Sequence, residues 1–95
     1  MTGAPSLAKL QAPSLADIQA ARERIAGTVT RTPLIRLNVE GDSEIYLKLE
    51  NLQPIGSFKL RGPANAMLKA GAEGFPEGVY TASAGNHAQG VAWVA

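Results

Sequence analysis

The sequence contains no cysteine, which excludes disulfide bonds and thiolate metal sites and leaves the redox compartment open. Its single histidine, His87, excludes a metal site built on a pair of histidines. Neither sign of charge predominates, because the chain has nine basic and eight acidic side chains and a net charge of +1. Without a basic stripe or interleaved aromatic residues, we expect neither a nucleic-acid partner nor a bound metal.

Long apolar runs are also missing. No uninterrupted apolar stretch approaches the roughly 18 residues that a membrane span needs, and the N-terminus lacks the apolar core of a signal peptide. We therefore expect a cytoplasmic protein without a membrane partner. The 95 residues, of which 45% are hydrophobic and 18% charged, suffice for one small core and are ordinary for the α/β class.

The organisation of the chain is predicted as a tail followed by one domain. Residues 1–13 are rich in alanine, proline, serine and leucine without a sustained period, which predicts a disordered tail. A helix that docks on a sheet should begin after Ser14, with Asp17 as its capping partner, and stop at Gly27. The last residues carry no helix stop signal, so we expect residues 14–95 to be the N-terminal part of a longer catalytic domain, truncated within a helix.

Three segments are predicted as strands. Residues 34–37 follow a break at a proline, residues 44–50 alternate apolar and polar side chains, and residues 79–82 precede a glycine-containing turn. We expect a further helix to start near His87, directly after that turn.

A lysine stands within Ser-Phe-Lys-Leu-Arg-Gly, residues 57–62. Ser57 is predicted to cap a helix that ends at Gly71, which places Lys59 in the first helical turn. Pro63 lacks the N–H that would bond the Lys59 carbonyl, so the helix should kink or restart there.

The environment expected for Lys59 favours its neutral amine. The helix macrodipole disfavours a positive charge in the first turn, and the flanking Phe58 and Leu60 predict low-dielectric surroundings. Schiff-base chemistry requires a neutral lysine amine. The alternative is a solvated surface lysine with a snorkelling stem.

The stretch Thr-Ala-Ser-Ala-Gly-Asn-His-Ala-Gln-Gly, residues 81–90, predicts an anion site, because a glycine-containing loop leads into a helix N-terminus. The dinucleotide fingerprint is absent, and Val91 occupies the position where a phosphate-binding loop requires lysine. A carboxylate remains the anion that fits best. Asn86 could simply cap the helix, and a lone histidine such as His87 is more often structural than a general base.

Together these two stretches resemble the threonine and serine dehydratase branch of the fold-type II pyridoxal-phosphate (PLP) enzymes, with the resemblance running from about Ile18 to Ala95. It implies the α/β, tryptophan synthase β-like fold. It also implies that Lys59 carries PLP and is catalytic, that Phe58 packs against the cofactor, and that the Asn86 amide reaches the ring oxygen. The resemblance further implies that the substrate carboxylate is held by Ser83, Ala84, Gly85, Asn86 and His87. Pro63 departs from the alanine that many members carry.

The implied reaction converts L-threonine or L-serine to a 2-oxo acid and ammonia, by α-proton abstraction and loss of the β-hydroxyl. A small amino acid and a homo-oligomeric assembly are the implied partners, and in this family the phosphate cradle lies beyond Ala95, so the 95 residues alone should be inactive. One alternative is a racemase or a dehydratase of another 3-hydroxy amino acid. The related racemases carry serine where this chain has Ala84. The other alternative is a non-catalytic binding module.

Overall fold

The computed structural model describes residues 10–95, so most of the predicted tail, residues 1–9, lies outside the described residues. Within them the helices and strands are α1 (Leu15–Ile25), β1 (Leu34–Arg36), β2 (Tyr46–Lys48), α2 (Arg61–Ala70) and α3 (Asn86–Val94). Short 3-10 turns occupy Glu50–Leu52, Phe58–Leu60 and Ala72–Gly74. This combination of helices with a small sheet fits the expected α/β class. Over the same residues, none of the helices has the length and apolarity to span a membrane.

Helix α1 begins at the predicted residue. The Ser14 hydroxyl accepts a hydrogen bond from the Asp17 N–H at 3.1 Å, and the Asp17 carboxylate accepts one from the Ser14 N–H at 2.8 Å. This reciprocal capping box satisfies two backbone donors at the helix start, and the hydrogen bonds from Ser14 lower the pKa of Asp17. The helix ends at Ile25, shortly before the predicted stop at Gly27.

The predicted docking of α1 on a sheet is wrong. The helix packs against α2 instead, burying Ile25 and leaving Leu15 and Ile18 exposed. The apolar periodicity identifies which side of a helix is buried, but it cannot identify the element that covers that side.

The sheet is a two-stranded antiparallel pair in which Leu34 lies opposite Lys48 and Ile35 opposite Leu47. Both strands are shorter than predicted, and at the end of β2 the residue Glu50 already belongs to a 3-10 turn. The predicted strand at residues 79–82 is wrong: these residues have no regular secondary structure and pair with no strand among residues 10–95. A strand needs backbone partners from a neighbour, and an apolar pattern does not supply them.

The turn that carries Lys59 is a 3-10 turn rather than the first turn of an α-helix. Ser57 caps it as predicted, its hydroxyl accepting from the Lys59 N–H at 3.3 Å. The expected restart occurs at Arg61, so Pro63 falls in the first turn of α2. A missing N–H is tolerated there because the first four donors of a helix have no partner within it. Helix α2 ends at Gly71, as predicted, with a φ of 70° that favours glycine.

The buried core lies directly beneath the lysine turn. It consists of Ile25, Val29, Leu60 and Ala64, with Leu60 and Ala64 fully buried. Because Leu60 is the neighbour of Lys59 in the chain, the core fixes the backbone of the turn from below.

Helix α3 packs against both α2 and the lysine turn. Gly90 of α3 is buried at this contact. A Cβ atom at this position would overlap the carbonyl oxygen of Lys59 and would lie 3.2 Å from the Pro63 Cγ. Glycine therefore permits the close approach that places the start of α3 beside Lys59.

Candidate active site

A cavity of about 400 Å³ opens between the lysine turn, α2 and the start of α3. Its volume falls within the range typical of small-molecule sites. The structure brings three of the predicted site residues to it, namely Phe58, Lys59 and His87. The other residues that line the cavity were not predicted as site residues. They are Arg61, Gly62, Pro63, Ala66, Met67, Phe75, Val79, Tyr80, Thr81 and Val91.

The Lys59 side chain is exposed at the edge of this cavity. Its Nζ atom lies 5.3 Å from the centroid of the Phe58 ring, a cation–π distance. The expected low-dielectric surroundings are wrong, since Phe58 is 59% exposed and only Leu60 is buried. A 3-10 turn has three residues per turn and so separates successive side chains by about 120°, which lets Leu60 enter the core while Phe58 and Lys59 face outward.

The predicted carboxylate loop leads into α3. Gly85 is the N-cap, so the alternative in which Asn86 caps this helix is wrong. Within residues 10–95 no side chain caps α3, and its first N–H groups are therefore available to an anion. The Ser83 hydroxyl accepts from the Gly85 N–H at 3.2 Å, which shapes the loop.

The loop residues divide into two groups with respect to the cavity. His87 lines it together with Lys59. Ser83, Ala84, Gly85 and Asn86 are exposed and lie outside its lining. Over residues 10–95 no cluster of three or more histidine, aspartate or glutamate side chains could hold a metal ion.

A carboxylate network behind the lysine turn was missed by the sequence interpretation. The Glu50 carboxylate, 15% exposed, accepts hydrogen bonds from the Arg61 guanidinium through Nε and, at 3.1 Å, through Nη2. It also accepts from the Thr32 hydroxyl and, at 3.1 Å, from Gln53 Nε2. The Arg61 hydrogen bonds are the largest cause that lowers the pKa of Glu50 from 4.5 to about 2.

Gln53 extends this network into the segment between α1 and β1. It is buried at 3% exposure, its Oε1 accepts from the Thr30 N–H at 2.9 Å, and its Nε2 donates to the Thr30 carbonyl at 2.7 Å. Lys48 donates to the Thr32 carbonyl. Alternation of polar residues assigned Glu50 to the solvated side of a strand, and no spacing rule connects Glu50 with Arg61 across an intervening loop.

The network predicts a pH-dependent stability. We expect Glu50→Gln to lower the unfolding temperature of the complete protein near neutral pH, because an ionised carboxylate holds its donors more strongly than an amide does. The folded-state pKa of about 2 lies below the ordinary 4.5, so this stabilisation is present above about pH 4.5 and is lost as the pH falls towards 2. The difference in unfolding temperature between Glu50→Gln and wild type should therefore become smaller as the pH falls.

Thermal unfolding of both proteins between about pH 7 and about pH 3 measures this convergence. Glu44→Gln is the matched control, because Glu44 forms an exposed pair with Arg36 at 3.7 Å and such pairs contribute little. A deficit for Glu50→Gln that stays constant down to about pH 3 contradicts the prediction.

Comparison with known sequences decides the family. Residues 25–95 match the family described as "Pyridoxal-phosphate dependent enzyme". The chain belongs to this family. Its cofactor is accordingly PLP, as the lysine and loop motifs predicted.

The relatives agree with the predicted branch. The chain is 49% identical over 82 residues to the biosynthetic L-threonine dehydratase of Corynebacterium glutamicum, a match covering 83% of this chain and 19% of that protein. It is 47% identical over 85 residues to the L-threonine ammonia-lyase of Thermotoga maritima, covering 86% and 21%. The catabolic L-threonine dehydratase of Staphylococcus aureus is 45% identical over 86 residues, covering 86% and 25%. This chain thus spans about a fifth to a quarter of the length of its relatives. No solved structure matches it significantly.

The residues around the cavity fit PLP. Lys59 lines the cavity with an exposed side chain whose amine can form a covalent bond, and the Phe58 ring beside that amine offers an apolar surface to an aromatic ring. His87, in the first turn of α3, lines the same space, and the N–H donors of a helix start attract polar and anionic groups.

Proposed function

We propose that these residues are the N-terminal part of a PLP-dependent threonine or serine dehydratase, an ammonia-lyase of the tryptophan synthase β-like, fold-type II architecture. The reaction converts L-threonine or L-serine to a 2-oxo acid and ammonia. The observation that carries the proposal is the shared cavity of Lys59 and His87, in a chain that is close in sequence to threonine dehydratases. The proposal includes a free amino-acid substrate, a homo-oligomeric assembly and a cytoplasmic location.

In the proposed mechanism Lys59 binds the cofactor through its amine and accepts the α proton of the substrate. The exposed position of the amine at the cavity edge gives it access to both. When bound, PLP supplies the electron sink that stabilises negative charge at the α-carbon. Phe58 would pack against the bound cofactor, and the Asn86 amide would bind its ring oxygen.

The substrate carboxylate is assigned to the loop Ser83, Ala84, Gly85, Asn86 and His87. The uncapped start of α3 supports this assignment, because backbone N–H donors at a helix N-terminus attract an anion. Since Lys59 and His87 line one cavity, a carboxylate held at α3 brings the α-carbon near the lysine. The β-hydroxyl would then leave as water, with the proton that Lys59 had accepted, and hydrolysis of the remaining enamine would give the 2-oxo acid and ammonia.

The competing functions differ in their chemistry. A non-catalytic binding module has no need of a reactive amine, whereas Lys59 presents one at a ligand-sized cavity. A racemase needs a proton acceptor on one side of the α-carbon and a donor on the other. Ala84 carries no transferable proton in the loop where a second acid would lie, which favours the dehydratase.

The test of the function is product formation by the complete protein. We expect L-threonine to give 2-oxobutyrate and ammonia in equal amounts, and L-serine to give pyruvate and ammonia. Saturable binding of these amino acids without any 2-oxo acid would instead support the binding module.

Ala84 predicts the stereochemical outcome. With L-serine, we expect pyruvate to dominate and D-serine to stay at a trace, because losing a positioned acid costs about 10²–10⁴-fold in its proton-transfer step. Ala84→Ser should raise D-serine formation. Chiral chromatography of D-serine beside a pyruvate assay measures both.

The matched control is Ala82→Ser, which makes the same change two residues earlier in the exposed segment and should leave D-serine at the wild-type trace. Racemisation by the wild type at a rate comparable to pyruvate formation refutes this assignment of Ala84.

A further inference from the structure

The Lys59 side chain is exposed, so packing of the side chain itself does not fix its direction. Its direction depends on the backbone of the 3-10 turn from which it projects. That turn is closed by a hydrogen bond from the Arg61 N–H to the Phe58 carbonyl. Any force that holds Arg61 in place therefore also holds the turn.

The Arg61 side chain is held by Glu50. Its guanidinium makes two hydrogen bonds to the two carboxylate oxygens, the fork geometry that adds orientation as well as attraction. The guanidinium side chain is 38% exposed and the carboxylate side chain 15% exposed, so the pair is screened by solvent less than a surface pair is.

The other donors to Glu50 come from elsewhere in the chain. Thr32, buried at 3% exposure, donates from the segment before β1, and Gln53 donates from the loop before the lysine turn. Gln53 in turn bonds both backbone groups of Thr30. One carboxylate thus ties the lysine turn to the segment that leads from α1 to β1.

We propose that Glu50 is a positioning residue for Lys59, acting through Arg61 to fix the direction in which the lysine amine enters the cavity. The proposal rests on the proposed function, in which Lys59 is the residue that binds PLP. Glu50 does not itself line the cavity, but it binds Arg61, which does. Its effect on Lys59 passes through the backbone of residues 58–61.

Loss of this connection should appear as misplacement of the amine. A displacement of about 1 Å can cost about 100-fold in rate, even when the mutated residue lies outside the chemistry. Substrate carboxylate binding at α3 does not involve Glu50, so KM for the amino acid should change far less than kcat. A purely structural role predicts a lower unfolding temperature, with unchanged PLP affinity and kcat in the folded fraction.

The experiment compares Glu50→Gln with wild type in the complete protein. PLP affinity is measured by spectroscopic titration of the cofactor-free protein, kcat and KM with L-threonine, and the folded fraction by circular dichroism. We expect weaker PLP binding and a kcat lowered by about 10- to 100-fold, with KM little changed. Glu44→Gln, in the exposed pair with Arg36, should match wild type in all three.

A second variant keeps the proposal testable if Glu50→Gln folds poorly. Arg61→Lys keeps the positive charge but loses the two-pronged geometry, and it should show the same losses in milder form. In the double variant Glu50→Gln/Arg61→Lys the combined loss should be much smaller than the sum of the two single losses, because both changes break the same connection. Wild-type PLP affinity and kcat in folded Arg61→Lys overturn the proposal, as do additive losses.

The failure of this inference is distinguishable from failure of the proposed function. Reduction of wild-type holoenzyme with borohydride tests whether PLP is on Lys59 at all. A pyridoxyl group on another lysine, with Lys59 unmodified, would contradict both the proposed function and this inference. Label on Lys59, combined with unchanged PLP affinity in folded Glu50→Gln, removes the positioning role alone.

Discussion

Replacing Lys59 by arginine should abolish both covalent cofactor attachment and turnover in the complete protein. Arginine keeps the charge and much of the length, but its guanidinium is not deprotonated in proteins. It can therefore neither form the bond to the cofactor nor accept a proton. We expect kcat to fall by at least the roughly 10²–10⁴-fold that accompanies loss of an acid–base group, together with loss of the visible absorbance of bound cofactor.

The matched control is Lys69→Arg, since Lys69 is an exposed lysine near the end of α2 and lies outside the cavity lining. It should retain wild-type absorbance and turnover. Thermal unfolding of both variants checks that the fold is intact, which is expected because the Lys59 side chain is exposed. Turnover by Lys59→Arg within tenfold of wild type would falsify the assignment of this lysine.

The second large effect is expected at Gly90. In Gly90→Ala the new methyl group would overlap the Lys59 carbonyl oxygen and approach the Pro63 ring. The oxygen belongs to backbone rather than to a flexible side chain, so α3 must move away from the lysine turn. We expect a loss of stability of about 1–3 kcal/mol, as for other overpacked sites, together with markedly weaker PLP binding.

Denaturant unfolding and PLP titration measure the two effects in the same preparations. Gly27→Ala is the control, because a Cβ at Gly27 meets nothing within 4 Å and its φ is not in the left-handed region. That variant should be neutral or slightly stabilised, since alanine restricts the unfolded chain more than glycine does. Wild-type stability and PLP affinity in Gly90→Ala would show that the close contact does not position α3.

Local chemistry made some parts of the fold predictable. The caps at Ser14 and Ser57 and the stop at Gly71 follow from short-range hydrogen bonding and from the conformational freedom of glycine. The effect of Pro63 was predictable for the same reason, and the helix did restart, two residues earlier than expected. The family followed from two motifs that are specific only in combination.

Other parts depend on residues distant in sequence, which local patterns do not identify. The burial expected around Lys59 failed because Phe58 and Leu60 point in different directions from a 3-10 turn. The strand at residues 79–82 failed because pairing requires a neighbour. The Glu50–Arg61 connection was missed because it joins a 3-10 turn to the first residue of α2 across the intervening loop. The cavity shared by Lys59 and His87 is likewise a product of α3 packing on the lysine turn.

In the proposed function Lys59 carries PLP beside the start of α3. The most direct measurement is reduction of the holoenzyme with borohydride, followed by proteolysis and mass spectrometry of the lysine-containing peptides. We expect the pyridoxyl mass on Lys59, in the peptide that contains Ser57 and Phe58, with the other lysines of this chain unmodified. A pyridoxyl group on any other lysine, with Lys59 unmodified, would contradict it.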